Sequence, residues 1–113
     1  IIPFNHPAMF AITKIAAPLI AGNAVVLKPS EQAPLTSLLL GQIITHVLPA
    51  GVVNILTGAA STGSALVRHP RIKRIAFTGS AATGRAIRCC VSLDRTPRDR
   101  VHRERGHGAC DPG

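Results

Sequence analysis

The chain has 113 residues, 46% of them hydrophobic, and a formal net charge of +8 at pH 7. Its length allows one domain with a modest core, and its apolar content indicates a globular chain rather than a disordered one. Three phenylalanines are the sole aromatic residues, so the core must be aliphatic, and few rings are available to stack on nucleic-acid bases.

The first two elements in chain order are a helix and a strand. Residues 7–20 are apolar on nearly every face, which predicts a helix buried between a sheet and other protein. Pro18 should loosen its last turn, and Gly22 and Asn23 form a stop signal. Residues 24–27 then make a short β-branched run, which is typical of a buried strand.

A second helix is predicted over about residues 35–47, where Pro34 presets the first helical turn. Its hydrophobic period places several apolar residues near one face, namely Leu35, Leu38, Leu39, Ile43 and Val47. Residues 52–56 predict a second strand, which Gly58 stops.

Two further helices and a third strand complete the pattern. A short helix is predicted over about residues 61–67, a strand over residues 74–77 and a last helix over about residues 81–87. Alternating strands and helices are typical of a parallel sheet with right-handed crossovers. The sequence therefore predicts an α/β fold with a partial Rossmann-like parallel sheet of about three strands and flanking helices.

The composition changes after Ile87. Residues 88–113 have no hydrophobic period and are rich in Arg, Asp, His, Gly and Cys. Such a stretch buries too little apolar surface to offset the entropy cost of ordering. We therefore expect residues 1–87 to be the folded domain and residues 88–113 to be an atypical, disordered Arg- and Cys-rich tail. A change of reading frame in the encoding DNA is a possible alternative cause.

The pattern of cysteines, histidines and basic residues argues against a metal site, a disulfide framework and an RNA site. Three cysteines without Cys-x-x-Cys spacing predict neither a zinc site nor a disulfide framework, and a reducing cytoplasm follows. The histidines form no ligand-like pair, so no metal is expected. The basic residues of segment 68–74 are interpreted as a solvated face in preference to an RNA site. No membrane span is expected, because Lys14 and Pro18 interrupt residues 8–21.

Polar residues follow the first predicted strand, at the edge where open α/β sheets bind ligands. Lys28 can hold ribose hydroxyls or a phosphate, and Glu31 can accept hydrogen bonds from vicinal hydroxyls. A carboxylate on a 2′-hydroxyl would repel a 2′-phosphate, so Glu31 favours NAD over NADP. A surface ion pair between Lys28 and Glu31 is the alternative interpretation.

Four other residues carry groups that a site could use. Gly79 permits a tight turn, and Ser80 either caps the helix that follows or helps that helix start to bind a pyrophosphate. The Asn5 amide could donate to a developing oxyanion or could cap the first helix. Lys14 lies in an apolar helix, so its ammonium either meets a partner in a wet cleft or snorkels to solvent.

Four segments resemble the NAD(P)-dependent aldehyde dehydrogenase family. They keep the family's order and are close to its spacing: IIPFNHP at 1–7, AGNAVVLKPSE at 21–31, PAGVVN at 49–54 and AFTGS at 76–80. The resemblance covers residues 1–87. It implies the cofactor-binding part of a longer enzyme that oxidises an aldehyde to a carboxylic acid with NAD. In that family a cysteine thiolate attacks the aldehyde, and a glutamate-activated water hydrolyses the thioester.

The resemblance also assigns residues. It implies that Asn5 holds the oxyanion and that Lys14 lies near the active site, and these two are the expected catalytic residues. The cofactor site is expected to be lined by Ile1, Ile2, Lys28, Ser30, Glu31, Thr78, Gly79, Ser80 and Thr83.

Two catalytic parts of the family are missing from the pattern. The nucleophilic cysteine and the Glu-Leu-Gly-Gly segment with the base glutamate have no counterpart in their expected contexts. We therefore expect the 113-residue chain to be inactive alone, and a non-catalytic nucleotide-binding module is the alternative. The resemblance implies that the longer enzyme is a cytoplasmic homo-oligomer that acts on a small aldehyde, without nucleic acid or membrane.

Overall fold

A computed structural model of the chain describes residues 1–93 and 102–103. These residues form two compact units, one over residues 1–59 and one from residue 60 onwards. The elements of the first unit, in chain order, are α1 (Pro7–Ile20), β1 (Val25–Leu27), α2 (Leu35–Thr45) and β2 (Val53–Ile55). Those of the second are α3 (Ala60–Arg68), β3 (Ala76–Phe77), α4 (Ala81–Leu93) and β4 (His102–Arg103).

The first unit is a two-stranded parallel sheet with two helices packed on it. β1 pairs with β2 in parallel, with Val25 opposite Val53 and Leu27 opposite Ile55. α2 connects the two strands and packs against β2, while α1 packs against β1 and α2. The aliphatic core expected from the composition lies between these elements, around Ile2, Ala11, Ile15 and Leu27.

α1 has the bounds that the sequence predicts. Its end follows from Gly22, whose φ of 75° suits a residue without a side chain. There the Gly22 N–H donates to the Leu19 carbonyl and the Asn23 N–H to the Pro18 carbonyl, both at 2.9 Å. These bonds satisfy carbonyl groups that the last turn leaves open. Pro18 lies inside the helix.

α2 packs through a face other than the apolar one that the sequence singles out. Leu35, Leu39 and Ile43 are exposed, whereas Ser37 is fully buried and Leu40 half-buried. Small residues explain this choice, because a Cβ on Gly41 would lie 2.7 Å from Ile55 Cγ1. The small side of α2 can approach the sheet closely, and the bulky side is left outside.

The second unit has its own parallel sheet, in which β3 pairs with β4. α3 packs against α4, and Val67, Ile75 and Ile87 are buried. The α/β class with parallel strands and flanking helices is confirmed. Within each unit the strands pair two by two, β1 with β2 in the first and β3 with β4 in the second.

α4 continues to Leu93, beyond the end at residue 87 that the sequence predicts. Ile87 is buried, and Cys90 and Val91, three and four residues on, are half-buried, so the packed face of the helix carries on. Residues 88–93 are therefore helical although they belong to the expected tail. Apart from β4, the rest of that tail lies outside the described residues.

Candidate functional site

Lys28 and Glu31 form an ion pair directly after β1. Lys28 is 5% exposed, and its Nζ donates to the Pro29 carbonyl oxygen at 3.0 Å. The same Nζ lies 3.7 Å from Glu31 Oε2, while the Glu31 side chain is 58% exposed. The structure therefore contains the Lys28–Glu31 ion pair, which the sequence analysis gave as the alternative to ligand binding. It leaves the Glu31 carboxylate open to solvent and to a hydroxyl donor.

Hydrogen bonds within residues 30–33 hold the segment after β1 in place. Pro29 is fully buried. Ser30 is half-buried, and its Oγ accepts a hydrogen bond from the Gln32 N–H at 3.3 Å. The Ala33 N–H donates to the Ser30 carbonyl at 3.3 Å. Such turn bonds position Lys28 and Glu31 before any ligand arrives.

The first two residues lie beside this segment. The Ile2 N–H donates to the Lys28 carbonyl at 3.1 Å, and the Ile2 side chain is in the core. Burial lowers the pKa of the Ile1 amino group from 8.0 to about 6, and the charges of Lys14 and Lys28 lower that pKa further in the same direction.

Asn5 is exposed in the segment before α1. The residue at the cap of α1 is His6, and His6 makes no side-chain capping bond. Its backbone is left-handed, with φ 49° and ψ 50°, which is uncommon for a residue with a side chain. The alternative role of Asn5 as the helix cap is therefore not seen. Lys14 is half-buried on α1.

Ser80 caps α4 in the second unit. Its Oγ accepts a hydrogen bond from the Thr83 N–H at 3.2 Å and lies 2.9 Å from Thr83 Oγ1. The helix-capping interpretation of Ser80 is thereby confirmed. Nearby, Thr78 Oγ1 is buried and has no hydrogen-bond partner among the described residues. A buried hydroxyl in that state is costly.

The presence of glycine at position 79 has a steric explanation that the sequence does not reveal. A Cβ at position 79 would lie 2.6 Å from Phe77 Cζ, closer than non-bonded carbon atoms approach. A Cβ on Gly84 would lie 3.6 Å from Cε1 of the same ring, which is ordinary contact. The Phe77 ring therefore occupies the space beside Gly79, and a side chain at position 79 would require the ring to move.

The predicted site residues fall into one group in each unit. In the first unit Ile1, Ile2, Lys28, Ser30 and Glu31 lie around the end of β1, while Lys14 is half-buried on α1 and Asn5 is exposed just before that helix. In the second unit Thr78, Gly79, Ser80 and Thr83 lie at the start of α4. Sequence reasoning missed the backbone of His6, which no residue pattern signals, and the ring of Phe77, which its glycine neighbours could have indicated.

Within residues 1–93 and 102–103, no cluster of three His, Cys, Asp or Glu side chains could hold a metal ion. None of the helices in that part of the chain combines the length and the apolar character of a membrane span.

Known proteins match this chain over most of its length. The model of the aldehyde dehydrogenase family matches residues 1–104. Phenylacetaldehyde dehydrogenase of Pseudomonas fluorescens is 52% identical over 89 residues, which are 77% of this chain and 18% of that protein. The EPTC-inducible aldehyde dehydrogenase of Rhodococcus erythropolis is 50% identical over 98 residues, 86% of this chain and 19% of that protein.

The fold is similar to that of solved structures as well. The crystal structure of betaine aldehyde dehydrogenase from Staphylococcus aureus in complex with NAD⁺ is 33% identical, with a TM-score of 0.79, over 84% of this chain and 20% of that one. The chain thus spans less than a quarter of the relatives it matches. The resemblance carried by the four segments is confirmed, and the chain belongs to the aldehyde dehydrogenase family.

Proposed function

We propose that this chain forms the NAD-binding part of a longer enzyme that oxidises an aldehyde to a carboxylic acid. Residues 1–87 are assigned to a partial, Rossmann-like cofactor domain, and residues 88–113 to an Arg- and Cys-rich tail whose first residues continue α4. Family membership and the NAD⁺ complex of a similar structure support the proposal. The longer enzyme is proposed to be a cytoplasmic homo-oligomer that acts on a small aldehyde.

One observation carries the proposal, the exposed carboxylate of Glu31 anchored beside the buried ammonium of Lys28. Vicinal ribose hydroxyls can donate to this carboxylate, and the Lys28 cation can hold an adjacent oxygen. A 2′-phosphate would meet the negative charge of Glu31, so NAD is preferred to NADP.

The other residues assigned to the cofactor site would make different kinds of contact with it. Ile2 would contact the cofactor through its backbone, because its side chain is in the core. Thr78 offers a buried hydroxyl that still lacks a partner among the described residues. Further contacts are assigned to Ile1, Ser30, Gly79, Ser80 and Thr83.

NAD, when bound, accepts the hydride in this chemistry. Among the residues of this chain, the Asn5 amide would donate to the oxyanion, and it is exposed and does not cap α1. Lys14 would add positive charge close to the end of β1. Cys89 and Cys90 lie on α4 and are not assigned as the nucleophile. The 113-residue chain alone is therefore proposed to be inactive.

Hydrogen exchange of the full chain with and without millimolar NAD tests the cofactor assignment. We expect NAD to protect amides in residues 24–31 and 74–80. Glu31→Gln should weaken NAD binding about tenfold or more, since hydrogen bonds to a charged group contribute about 1.5–3 kcal/mol. The same variant should narrow the preference for NAD over NADP.

Gln32→Ala is the matched control, because Gln32 is the exposed neighbour and uses its backbone N–H in the turn. This variant should bind NAD like the parent chain. No protection at millimolar NAD, or equal affinity in the Glu31→Gln and Gln32→Ala variants, would contradict the proposal.

A further inference from the structure

The ring of Phe77 is packed between two glycines. Phe77 is the last residue of β3 and is half-buried. A Cβ at Gly79 would lie 2.6, 3.1 and 3.4 Å from the Cζ, Cε2 and Cε1 atoms of this ring. A Cβ at Gly84 would lie 3.6 and 3.8 Å from its Cε1 and Cδ1 atoms. The tip of the ring therefore packs on the loop between β3 and α4, and one edge packs on α4 itself.

Gly84 connects this ring to the start of α4. Its N–H donates to the Ser80 carbonyl at 3.0 Å, and the Thr83 N–H donates to Ser80 Oγ at 3.2 Å. The first N–H groups of a helix have no acceptor within it. With Thr83 and Gly84 satisfied in this way, Ala81 and Ala82 are the residues of the first turn whose N–H groups have no acceptor within α4. Such N–H groups at a helix start bind phosphate oxygens.

A glycine loop needs an outside restraint to keep such donors in place. Glycine has more backbone freedom than any other residue, and Gly79 is exposed. Donors that become ordered only when a ligand arrives weaken binding, because the loss of freedom then costs free energy. The Phe77 ring fills the space on one side of Gly79 and lies next to Gly84 as well. It therefore restrains the loop and the start of the helix together.

We propose that Phe77 is a positioning residue for the pyrophosphate of NAD. Its ring holds Gly79 and the first turn of α4 in the place where their backbone N–H groups donate to phosphate oxygens. The ring acts through the backbone that it packs on. This inference rests on the proposed cofactor function and adds to it a residue outside the assigned cofactor contacts.

Phe77→Leu removes the contact with Gly79 and keeps an apolar side chain. Leucine has no Cζ, Cε1 or Cε2, the three ring atoms nearest to position 79. Phe10→Leu is the matched control, because Phe10 is also half-buried and packs against the core of the first unit. The two variants remove the same atoms from two half-buried rings, and one of these rings lies at the start of α4.

Calorimetric titration of the full 113-residue chain with NAD measures the effect on affinity. Phe77→Leu should raise the dissociation constant about tenfold, since displacing one donor loses a hydrogen bond to a charged oxygen. Phe10→Leu should bind NAD like the parent chain. Circular dichroism checks that each variant is folded, and Phe77→Met, whose flexible side chain also lacks the flat ring, is the second variant.

Phosphorus NMR at saturating NAD separates a displaced site from a less stable chain. A loss of stability alone lowers the fraction of folded chain but leaves the resonances of bound NAD where they are. Displaced N–H groups change the surroundings of both phosphates. We therefore expect shifted pyrophosphate resonances in Phe77→Leu and unchanged ones in Phe10→Leu.

A double-mutant cycle tests the contact without NAD. In the Phe77→Leu chain, Gly79→Ala should cost less free energy of unfolding than in the parent chain, because the atoms that meet its Cβ are gone. Urea unfolding measures both costs, and equal costs would contradict the packing of the ring on Gly79.

Three results of the NAD experiments would overturn the proposal. Absence of NAD binding in the parent chain would overturn the cofactor function, and this role with it. NAD binding in the parent chain, with the same affinity and resonances in folded Phe77→Leu or Phe77→Met, would overturn the role of the ring alone. Equal weakening by Phe77→Leu and Phe10→Leu would mean that overall stability, rather than the position of the helix start, determines the affinity.

Discussion

The side chain of Phe77 determines which neighbouring glycines can be replaced. Its ring would meet a Cβ on Gly79 at 2.6 Å but a Cβ on Gly84 at 3.6 Å. The Phe77 ring therefore lies directly beside Gly79, one of the residues proposed to bind the cofactor. A change at position 79 is expected to move the ring, whereas one at position 84 is not.

We predict that Gly79→Ala lowers the free energy of unfolding by about 1–3 kcal/mol, the usual cost of an overpacked contact. Gly84→Ala should leave that free energy unchanged or raise it by up to about 1 kcal/mol, because alanine is the better helix former. Urea unfolding followed by circular dichroism measures both. Equal stability of the two variants would disprove the role of the ring.

With a free amino group at Ile1, the stability of the 113-residue chain depends on pH. Its pKa is 8.0 ordinarily and about 6 in the folded chain, mainly through burial. Between these values the unfolded chain binds more protons than the folded one. Stability should therefore rise with pH from about 6 to about 8, by roughly 2 kcal/mol.

Urea midpoints between pH 5.5 and 8.5 measure this dependence. The control is the same chain with an acetylated amino terminus, which keeps every histidine but has no amino group to titrate. The difference between the two chains should show the rise, and parallel curves would contradict it.

Among single residues, those at strand ends were the most predictable. Lys28, Glu31 and Ser80 follow apolar runs, and the ion pair and the cap form as their spacing suggests. Burial was not predictable in the same way. The unpartnered hydroxyl of Thr78 depends on packing that no local pattern encodes, as does the left-handed backbone of His6.

At the level of elements, α2 illustrates what a hydrophobic period can and cannot predict. The helix forms close to the expected bounds, but it is apolar nearly all round. A period then cannot decide which side packs. The small residues Ser37 and Gly41 determine the packed side, because they let the backbone of α2 approach β2.

We predict opposite effects from two alanine substitutions on the packed side of α2. Gly41→Ala should lower the free energy of unfolding by about 1–3 kcal/mol, because its Cβ would lie 2.7 Å from Ile55 Cγ1. Ser37→Ala should raise it by about 1 kcal/mol, because the buried Ser37 Oγ has no hydrogen-bond partner among the described residues.

Chemical denaturation of both variants under one set of conditions provides the measurement. The two positions are one helical turn apart, so each serves as the control for the other. A destabilised Ser37→Ala chain would mean that its hydroxyl has a partner, and an unaffected Gly41→Ala chain would mean that Ile55 can move aside.

Strand pairing was the least predictable property of the elements. Apolar runs indicate where β1, β2 and β3 lie, but alternation does not name the neighbour of a strand. β3 pairs with His102 and Arg103, which carry no strand signal of their own. The class of the fold, in contrast, followed from the order of elements.

On the scale of the whole molecule, apolar exposure and charge are separated. Among the described residues, the exposed large hydrophobic side chains all belong to the first unit. Six of the eight lysines and arginines in residues 1–93 belong to the second. The chain spans 18% and 19% of two relatives, and this part of their length was enough for the sequence to indicate the family.

The parallel pairing of β1 with β2 also determines how the first unit opens. The Val25 N–H donates to the Val52 carbonyl and the Leu56 N–H to the Leu27 carbonyl, and α2 lies within the connection between these strands. Separating the strands therefore removes the packing of α2 against β2. Loss of that packing in turn exposes to solvent the core that holds the strands together. The amides of Val25 and Leu56 should exchange with solvent at the same rate as the interior of α2, as one cooperative block.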